Sequence, residues 1–290
     1  MKIKIASGYS GVIATGSYEN SRPNFSAEIE YDTAEVLTES EIRTIIENGQ
    51  KNLHDISYGM FKSVEQQMVV ERINRERKDI RFRKAPNGKL YPSMTSVLNW
   101  DKDFNVPPHE LQQYASQSNI THARVHNFIS TGKWVEPKDL KECHSDIVIC
   151  TKGNLKLDTD AGNFPSFLED YPILEMKNGE VIFDDELEIS GEPDFIGIPD
   201  IEKGKWKKAF PQIKQIPTVF DVKRSANDDE GHLCQIFGYS KPLGIKQGCI
   251  IPLNNKTKQG FSTPVISDKK DYHLAIVANK RKSFRERFGA

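Results

Sequence analysis

The sequence predicts an α/β protein with a small N-terminal β-plus-helix appendage. Three observations predict this class. The second half of the chain alternates helical and strand-like segments in the order helix, three strands, helix, strand. The first 35 residues instead carry short alternating apolar segments separated by Gly, Ser, Asn and Pro. The 290 residues are 37% hydrophobic and 28% charged, as expected for a globular chain with one large core and an appendage.

The appendage is predicted to be an accessory domain of residues 1–80, followed by a second domain of residues 81–290. The segments KIKIASGY, GVIATGSY and FSAEIEYD indicate two or three short strands. The segment RKAPNGKLYP is rich in turn-forming residues and is interpreted as the joint between the two domains.

One long helix is predicted after these strands. Thr38 is a candidate N-cap, and apolar residues recur at spacings of three or four from Ile42 towards Arg77. Gly49 and Gly59 lie inside this pattern, and we expect them to break the helix into pieces.

The second domain has elements of both kinds. An extended entry leads into a helical turn capped by Ser93 or Thr95, and one long helix or two run from Pro108 to Gly132. The later segments are three strands, a helix and a buried strand: VIFDDELEI, EPDFIGIP, PTVFDVKR, EGHLCQIFGYSK and GCIIPLN.

An acid and a base interrupt the apolar strand TVFDVKRS. Asp221 and Lys223 are two residues apart, so in an extended chain both side chains leave the same face of the sheet. Burying such charges costs free energy unless they are matched or used. The two residues are therefore either a cross-strand ion pair at a sheet edge or part of a functional site.

A second carboxylate, that of Asp194, begins the preceding strand. Two neighbouring strands would then bring carboxylates to a similar level, beside the lysine. Mg²⁺ takes a few carboxylates, a backbone carbonyl and several waters as ligands. A nearby lysine can orient or deprotonate a water and neutralise developing charge. This combination favours phosphodiester hydrolysis, in which the metal polarises the phosphoryl oxygen.

The chain resembles the PD-(D/E)xK nuclease superfamily, in its RecB-like exonuclease branch. The resemblance covers roughly residues 90–260. It rests on PD at Pro193–Asp194, DVK at Asp221–Lys223, Q-x-x-x-Y in CQIFGY, a helical histidine in THARVHNF, and YPSMTSVL. The last segment is similar to the entry segment of phage members and of the mitochondrial single-strand exonuclease. The resemblance implies a restriction-endonuclease-like core, in which a mixed central sheet is flanked by helices.

The resemblance also implies roles for individual residues at a Mg²⁺ or Mn²⁺ site. Asp194 and Asp221 would bind the metal through their carboxylates, and the carbonyl of Val222 would complete that side. Lys223 would position the attacking water. His126 would be a ligand for a second ion.

The remaining assignments leave alternatives open. Gln235 and Tyr239 would grip the nucleic acid and orient the lysine strand, or they are a helix face packed on the sheet. His122 lies one turn before His126 on the same face, and either histidine is also interpretable as an ordinary helix residue. His273 is interpreted as a surface residue.

A third metal-binding acid is also predicted. Glu192 lies two residues before Asp194, so a continuous strand would put both on one face. Glu188 and Glu186 compete with Glu192 for this role.

Two features depart from the family pattern. The insertion DIEKGKWKKAFPQIKQIP lengthens the connection between the two acidic strands, and its lysines and Trp206 either touch a DNA strand or form a solvated loop. The cysteines, Cys143, Cys150, Cys234 and Cys249, form no C-x-x-C pair, and only Cys249 follows the Q-x-x-x-Y helix. We expect reduced, mostly buried thiols and no iron–sulfur cluster.

The expected partner is DNA, with single strands or ends preferred. Net charge is −1, yet residues 241–290 carry eleven Lys and Arg against three Asp and Glu, which suits a polyanion beside a metal site or is simply a solvated surface. The predicted function is a metal-dependent DNA exonuclease in phage or mobile-element replication, recombination or end processing. The alternatives are a structure-selective endonuclease and a non-catalytic nucleic-acid-binding protein. Residues 1–80 would dock a replication or recombination protein or form a dimer.

The chain shows no sign of a membrane segment or a secretion signal. No apolar run approaches the roughly 18 residues of a membrane span, and the N-terminus MKIKIASGYSG lacks the apolar stretch of a signal peptide. We therefore expect a cytoplasmic protein of a bacterial or phage-infected cell, without a membrane partner.

Overall fold

The protein is a mixed α/β structure made of two compact units. The computed structural model describes residues 2–10, 13–14, 20–21, 23–32, 37–77, 79–102, 106–152, 163–224, 229–253 and 257–290. The first unit comprises residues 1–92 and 284–290, and the second comprises residues 93–283. The predicted functional domains, residues 1–80 and 81–290, stay a prediction. No helix in the described ranges combines the length and the apolar character needed to cross a membrane.

The first unit contains strand pairs and one long helix. The antiparallel pairs are β1 with β4, β2 with β3, and β5 with β6. The element bounds are β1 (Lys2–Ser10), β2 (Ile13–Ala14), β3 (Asn20–Ser21), β4 (Asn24–Asp32), α1 (Glu39–Glu76), β5 (Phe82–Lys84) and β6 (Leu90–Pro92). The segment predicted as a joint therefore forms the β5–β6 hairpin.

Helix α1 begins where the sequence predicted. The Thr38 hydroxyl accepts a hydrogen bond from the Glu41 backbone N–H, and the Glu41 carboxylate accepts one from the Thr38 N–H, which is a capping box. The prediction that Gly49 and Gly59 break the helix was wrong, because α1 continues through both. A Cβ atom at Gly49 would lie 2.4 Å from Cδ1 of Ile5, so this glycine lets β1 pack closely on the helix.

The second unit contains a five-stranded sheet, a separate hairpin and the remaining helices. The element bounds are α2 (Met94–Asn99), α3 (Pro108–Thr131), α4 (His144–Lys152), α5 (Phe164–Asp170), β7 (Ile173–Asn178), β8 (Ile182–Asp184), β9 (Ile189–Gly191), β10 (Phe195–Pro199), α6 (Trp206–Ala209), β11 (Thr218–Lys223), α7 (Asp229–Ser240), β12 (Gln247–Pro252), β13 (Val265–Ser267) and α8 (Lys270–Phe288), whose last residues belong to the first unit. Two short 3₁₀ turns, Pro137–Asp139 and Lys141–Cys143, precede α4.

Several predicted boundaries in this unit are confirmed. Ser93 caps α2, since its hydroxyl accepts from the Ser96 N–H at 3.2 Å. Helix α3 is one continuous helix that ends at Gly132, which has a φ of 70°. This left-handed conformation is the usual reason for a glycine at the end of a helix.

The sheet has mixed strand directions in the order β13-β12-β11-β10-β7. The pairs β7–β10, β10–β11 and β12–β13 are antiparallel, whereas β11 and β12 are parallel. Helix α7 forms the connection between the parallel pair, as a parallel crossover requires. The predicted segments EPDFIGIP, PTVFDVKR, EGHLCQIFGYSK and GCIIPLN correspond to β10, β11, α7 and β12 in that order, whereas β7 was not among the predicted strands.

One predicted strand was assigned to the wrong segment. VIFDDELEI was predicted as one of three strands, but it forms the separate β8–β9 hairpin, and the strand that pairs with β10 at the edge of the sheet is β7. The reason is the turn within VIFDDELEI. Oδ1 of Asp184 accepts from the backbone N–H groups of Glu186 and Leu187 at 3.0 and 2.8 Å, and Glu188 has a φ of 49°.

Aromatic side chains fill the main core of this unit. The rings of Phe195 and Phe220, on β10 and β11, stack with centroids 4.8 Å apart. Trp206 belongs to the same core and is fully buried, and its indole N–H donates to the carbonyl of Pro172 at 2.7 Å. The interpretation of Trp206 as a residue that stacks on DNA was therefore wrong: the insertion uses its tryptophan as an anchor.

The cysteines and one histidine also lie inside. All four cysteines are free thiols and buried, as predicted. His273 is 4% exposed and stacks on Phe237 with ring centroids 5.2 Å apart, so its assignment to the surface was wrong.

Candidate functional site

The two predicted acidic residues meet because of the register between β10 and β11. Phe195 pairs with Phe220 across the antiparallel strands. Asp194, one residue before Phe195, and Asp221, one residue after Phe220, therefore lie side by side. Both carboxylates are buried, with 6% and 2% of the residue exposed. The register of β10 against β11 thus places two buried carboxylates next to each other.

Both oxygens of the Asp194 carboxylate are held by hydrogen-bond donors. Oδ1 lies 2.8 Å from Nδ1 of His122 on α3, and Oδ2 accepts the backbone N–H of Val222 on β11 at 2.6 Å. The backbone at Asp194 is also fixed, since its carbonyl accepts from the N–H of Gly179 at 3.0 Å. A Cβ atom at Gly179 would lie 1.7 Å from the carbonyl oxygen of Pro193, so only glycine permits this approach.

Asp221 forms an ion pair with Lys223. Nζ of Lys223 lies 2.6 Å from Oδ2 of Asp221. The contact agrees with the predicted position of both side chains on one face of β11. The lysine side chain is 18% exposed, so the ammonium lies at the boundary between the buried acids and solvent.

Burial and mutual charge decide the protonation of the two acids. Burial raises the pKa of Asp221 and the Asp194 charge adds to this, while Lys223 opposes it, so the pKa stays above its usual value. Burial would also raise the pKa of Asp194, but His122 and then Lys223 lower it below the usual value. Two neighbouring buried carboxylates of this kind favour a nearby cation.

The two acids also change the pKa of the two neighbouring bases, His122 and Lys223. Burial alone would lower the pKa of His122 and of Lys223. Asp194 raises the pKa of His122 above its usual value, and Asp221 followed by Asp194 raises that of Lys223. Lys223 is therefore an ammonium ion at neutral pH, which donates hydrogen bonds and carries charge.

Gln235 and Tyr239 lie together on α7 beside this site. Nε2 of Gln235 donates to the Tyr239 hydroxyl at 2.6 Å and contacts Oγ1 of Thr95 at 3.4 Å. Burial raises the pKa of Tyr239 to about 12, with a further contribution from the Asp221 charge. Tyr239 is only 4% exposed, so its ring supports the site from within the fold. A contact of Gln235 or Tyr239 with nucleic acid stays a prediction.

Among the described residues, no hydrogen bond or ion pair joins His126 to the acidic pair. Its carbonyl accepts from Nδ2 of Asn178 at 3.1 Å, and its ring Nε2 is buried without a hydrogen-bond partner among the described residues. His122, one turn earlier, makes the contact with Asp194 instead. The ligand role of His126 stays a prediction.

The three candidates for an additional acid lie in different surroundings. Glu192 is exposed, and the continuous strand expected across it does not form, since β9 ends at Gly191 and β10 begins at Phe195. Glu192 and Asp194 therefore do not lie on one continuous strand, which was the reason for expecting them on a shared face.

Glu186 and Glu188 are paired with basic residues of the second unit. Oε2 of Glu186 lies 2.9 Å from Nζ of Lys241, and Oε2 of Glu188 lies 3.4 Å from Nη2 of Arg281. Neither of these two ion pairs involves Asp194.

His122 is the site residue that sequence reasoning did not select. The signal was its position four residues before His126, which places both on one face of α3. Which of the two reaches the acids depends on how α3 packs against the sheet, and no local pattern specifies that.

The oxygen donors suit a hard divalent cation completed by water. Among the described residues, no three His, Cys, Asp or Glu side chains are arranged as a preformed metal site. Mg²⁺, however, is commonly held by one or two carboxylates with several waters. Asp194 and Asp221 supply those carboxylates. Burial, and after it the charge of Asp194, raises the pKa of Asp221, and a bound cation would offset both effects.

Comparison with known proteins adds no family assignment. No protein-family profile matches this chain, and a search of curated proteins finds no significant match.

Proposed function

We propose that this protein is a metal-dependent nuclease that hydrolyses phosphodiester bonds in DNA, acting as an exonuclease on single-stranded ends. The observation that carries the proposal is the meeting of the buried carboxylates of Asp194 and Asp221, with Lys223 at the solvent boundary and His122 beside Asp194. Chemistry of this kind needs oxygen ligands for a cation and a positive group near the phosphate.

The sheet topology supports the same proposal. The order α3, β7, β10, β11, α7, β12 and the mixed strand directions agree with the restriction-endonuclease-like core that the sequence motifs imply. Asp194 precedes β10 and the Asp221–Lys223 pair lies on β11, so the two motifs come from adjacent strands.

A bound Mg²⁺ or Mn²⁺ ion would polarise a phosphoryl oxygen and provide hydroxide near neutral pH. Asp194 and Asp221 would hold this ion, with the carbonyl of Val222 as a further oxygen. Lys223 remains protonated, so it orients water and offsets charge on the phosphate and does not act as the base. Tyr239 and Gln235 keep the β11 side chains in place from α7.

Cleavage of end-labelled single-stranded DNA tests the proposal. We expect degradation with Mg²⁺ or Mn²⁺ and none with a chelator. Asp194→Ala and Asp221→Ala should abolish cleavage but still bind DNA in Ca²⁺, because phosphate contacts made by basic side chains do not need the attacking water. Glu202→Gln is the matched control, since Glu202 is an exposed carboxylate paired with Lys207.

Two results would contradict the proposal. Cleavage by either alanine variant at a rate close to wild type would mean that the acidic pair is not the site. Metal-independent DNA binding by wild type, without any cleavage, would favour the non-catalytic alternative.

A further inference from the structure

Both oxygens of the Asp194 carboxylate are held by hydrogen bonds, and one of these two bonds comes from a side chain. The Val222 N–H belongs to the backbone of β11 and is present whatever the side chain there. The bond from His122 comes from α3 and depends on that one residue. Ring nitrogen Nε2 of His122 lies 3.3 Å from Oγ of Ser118, one turn earlier on α3. The three side chains therefore form a continuous chain of polar contacts.

We propose that Ser118 and His122 form a hydrogen-bonded relay that fixes the orientation of the Asp194 carboxylate, so that His122 is a positioning residue. The inference rests on the proposed function in taking Asp194 as a cation ligand. It assigns a role to His122 and Ser118, which the sequence motifs leave without one.

The chemistry of the three groups determines the direction of the relay. An ionised carboxylate only accepts hydrogen bonds, so Nδ1 of His122 must carry the hydrogen that faces Asp194. Nε2 of a neutral ring then accepts from the Ser118 hydroxyl, and Nε2 of a charged ring donates to it. A hydroxyl can do either, so Ser118 holds the imidazole ring in both cases.

Two restraints are needed to fix the plane of a carboxylate. The terminal torsion of Asp is broad and roughly two-fold, so a single bonded oxygen leaves the other free to turn. With His122 on Oδ1 and Val222 on Oδ2, the plane is set by two elements on different sides of the side chain. Mg²⁺ demands near-ideal octahedral geometry, so a loosened carboxylate should bind it less tightly.

The spacing on α3 makes the relay specific to residue 122. Ser118, His122 and His126 follow each other at intervals of four, so they share a helix face. Only His122 of the two histidines contacts Asp194 in the described structure. The same imidazole ring contacts Ser118 through Nε2, so both of its nitrogens have polar partners.

The first test uses the metal-free full-length protein. The variants His122→Gln, Asp194→Ala and the double variant form a double-mutant cycle in melting temperature. The relay predicts that His122→Gln lowers the melting temperature of wild type clearly more than that of Asp194→Ala. Additive losses would overturn the relay, whether or not the protein cuts DNA.

The second test compares two amides at position 122. The amide nitrogen of Asn takes roughly the place of Nδ1, and that of Gln takes roughly the place of Nε2. In titration calorimetry with Mn²⁺, His122→Gln should weaken affinity by about 10-fold or more, while His122→Asn stays closer to wild type. Ser118→Ala should give an intermediate loss. Equal losses for Asn and Gln would overturn the positioning role.

The control is His109, an exposed histidine on the same helix. His109→Asn and His109→Gln should leave Mn²⁺ affinity unchanged. If wild type bound no Mn²⁺, the proposed function would fail, and the metal-free cycle would alone decide the relay. If wild type bound Mn²⁺ without cutting DNA, the nuclease proposal would fall, and both tests would still decide the relay.

Discussion

The ring of Tyr239 packs directly over Gly191, where a Cβ atom would lie 2.1 Å from Cε1 of the tyrosine. Gly191 is the last residue of β9, and Tyr239 lies on α7 next to the acidic pair. The small residue on the hairpin therefore makes room for the aromatic residue that supports the site.

Gly191→Ala should consequently destabilise the fold and disturb the site. Moving Tyr239 breaks its bond with Gln235, and overpacking of a well-packed interior typically costs about 1–3 kcal/mol. Denaturant unfolding measures the loss. Gly59→Ala is the control, because a Cβ atom at Gly59, in α1, would meet no atom of the described residues within 4 Å. This control should stabilise the protein by about 0.5–1 kcal/mol. Equal stability of Gly191→Ala and wild type would show that Tyr239 moves aside without cost.

Lys223→Arg should lose most of the proposed nuclease activity while the protein folds normally. The lysine approaches Asp221 with a compact ammonium, whereas arginine carries a bulkier planar group that cannot occupy the same position. We expect a decrease in cleavage rate of about 100-fold or more, similar to the loss of one charge-stabilising donor in other enzymes.

Initial rates on labelled DNA, with circular dichroism as the folding check, decide this prediction. Lys207→Arg is the control, since Lys207 forms an exposed ion pair with Glu202. Near-full activity of Lys223→Arg would reduce Lys223 to a charge partner for Asp221.

His273 should make the stability of the protein fall in mild acid. Burial lowers the pKa of His273 below its ordinary value of 6.5, with Glu230 opposing this and Lys269 adding to it. The ring also contacts Sγ of Cys234, on α7, at 3.8 Å. The unfolded chain therefore binds a proton at His273 more readily than the folded chain does. The contribution of His273 to the stability of the fold is complete above its ordinary pKa of 6.5 and decreases as the pH falls below that value.

Urea unfolding between about pH 7.5 and pH 5 measures this effect. His273→Gln should start from lower stability, because the stack on Phe237 is lost. Its stability should decline less steeply with falling pH than that of wild type. Parallel declines would show that other groups account for the acid sensitivity.

Local signals predicted many elements of this fold. The Thr38 cap, the end of α3 at Gly132 and the Ser93 cap each depend on a few adjacent residues, and all three are present. The order β10, β11, α7 and β12 also follows from local periodicity. Within the site, the same-face placement of Asp221 and Lys223 follows from the two-residue period of a strand.

Features that depend on distant packing could not be predicted in this way. The strand β7 has an irregular mixture of exposed and partly buried positions, so the apolar hairpin β8–β9 gave the stronger local signal. Trp206 lies in a lysine-rich insertion, but it is anchored by the carbonyl of Pro172, 34 residues earlier. The choice of His122 over His126 depends on the packing of α3 beside the sheet.

The proposed mode of attack on DNA is open to a topological test. Helix α3 lies beside the acidic pair, since it carries His122 to within 2.8 Å of Asp194. We expect the DNA strand to pass between this helix and the site. Such a path admits the end of a linear strand and excludes a closed circle. Basic and stacking groups along such a path hold single strands without reading sequence. Linear single-stranded DNA should therefore be shortened to small oligonucleotides with Mg²⁺ or Mn²⁺, while circular single strands survive.

The comparison of linear and circular substrates also separates the two nuclease alternatives. Both substrates have the same sequence and length. The linear form is made from the circular single strand by annealing one short oligonucleotide and cutting the resulting duplex site with a restriction enzyme. Binding should weaken steeply with added salt for either form, because most of the affinity would come from phosphate contacts and the release of counterions. A circle that binds but is not cut until it is linearised would show that the end is the requirement. Rapid cutting of the intact circle would overturn the exonuclease proposal in favour of the structure-selective endonuclease.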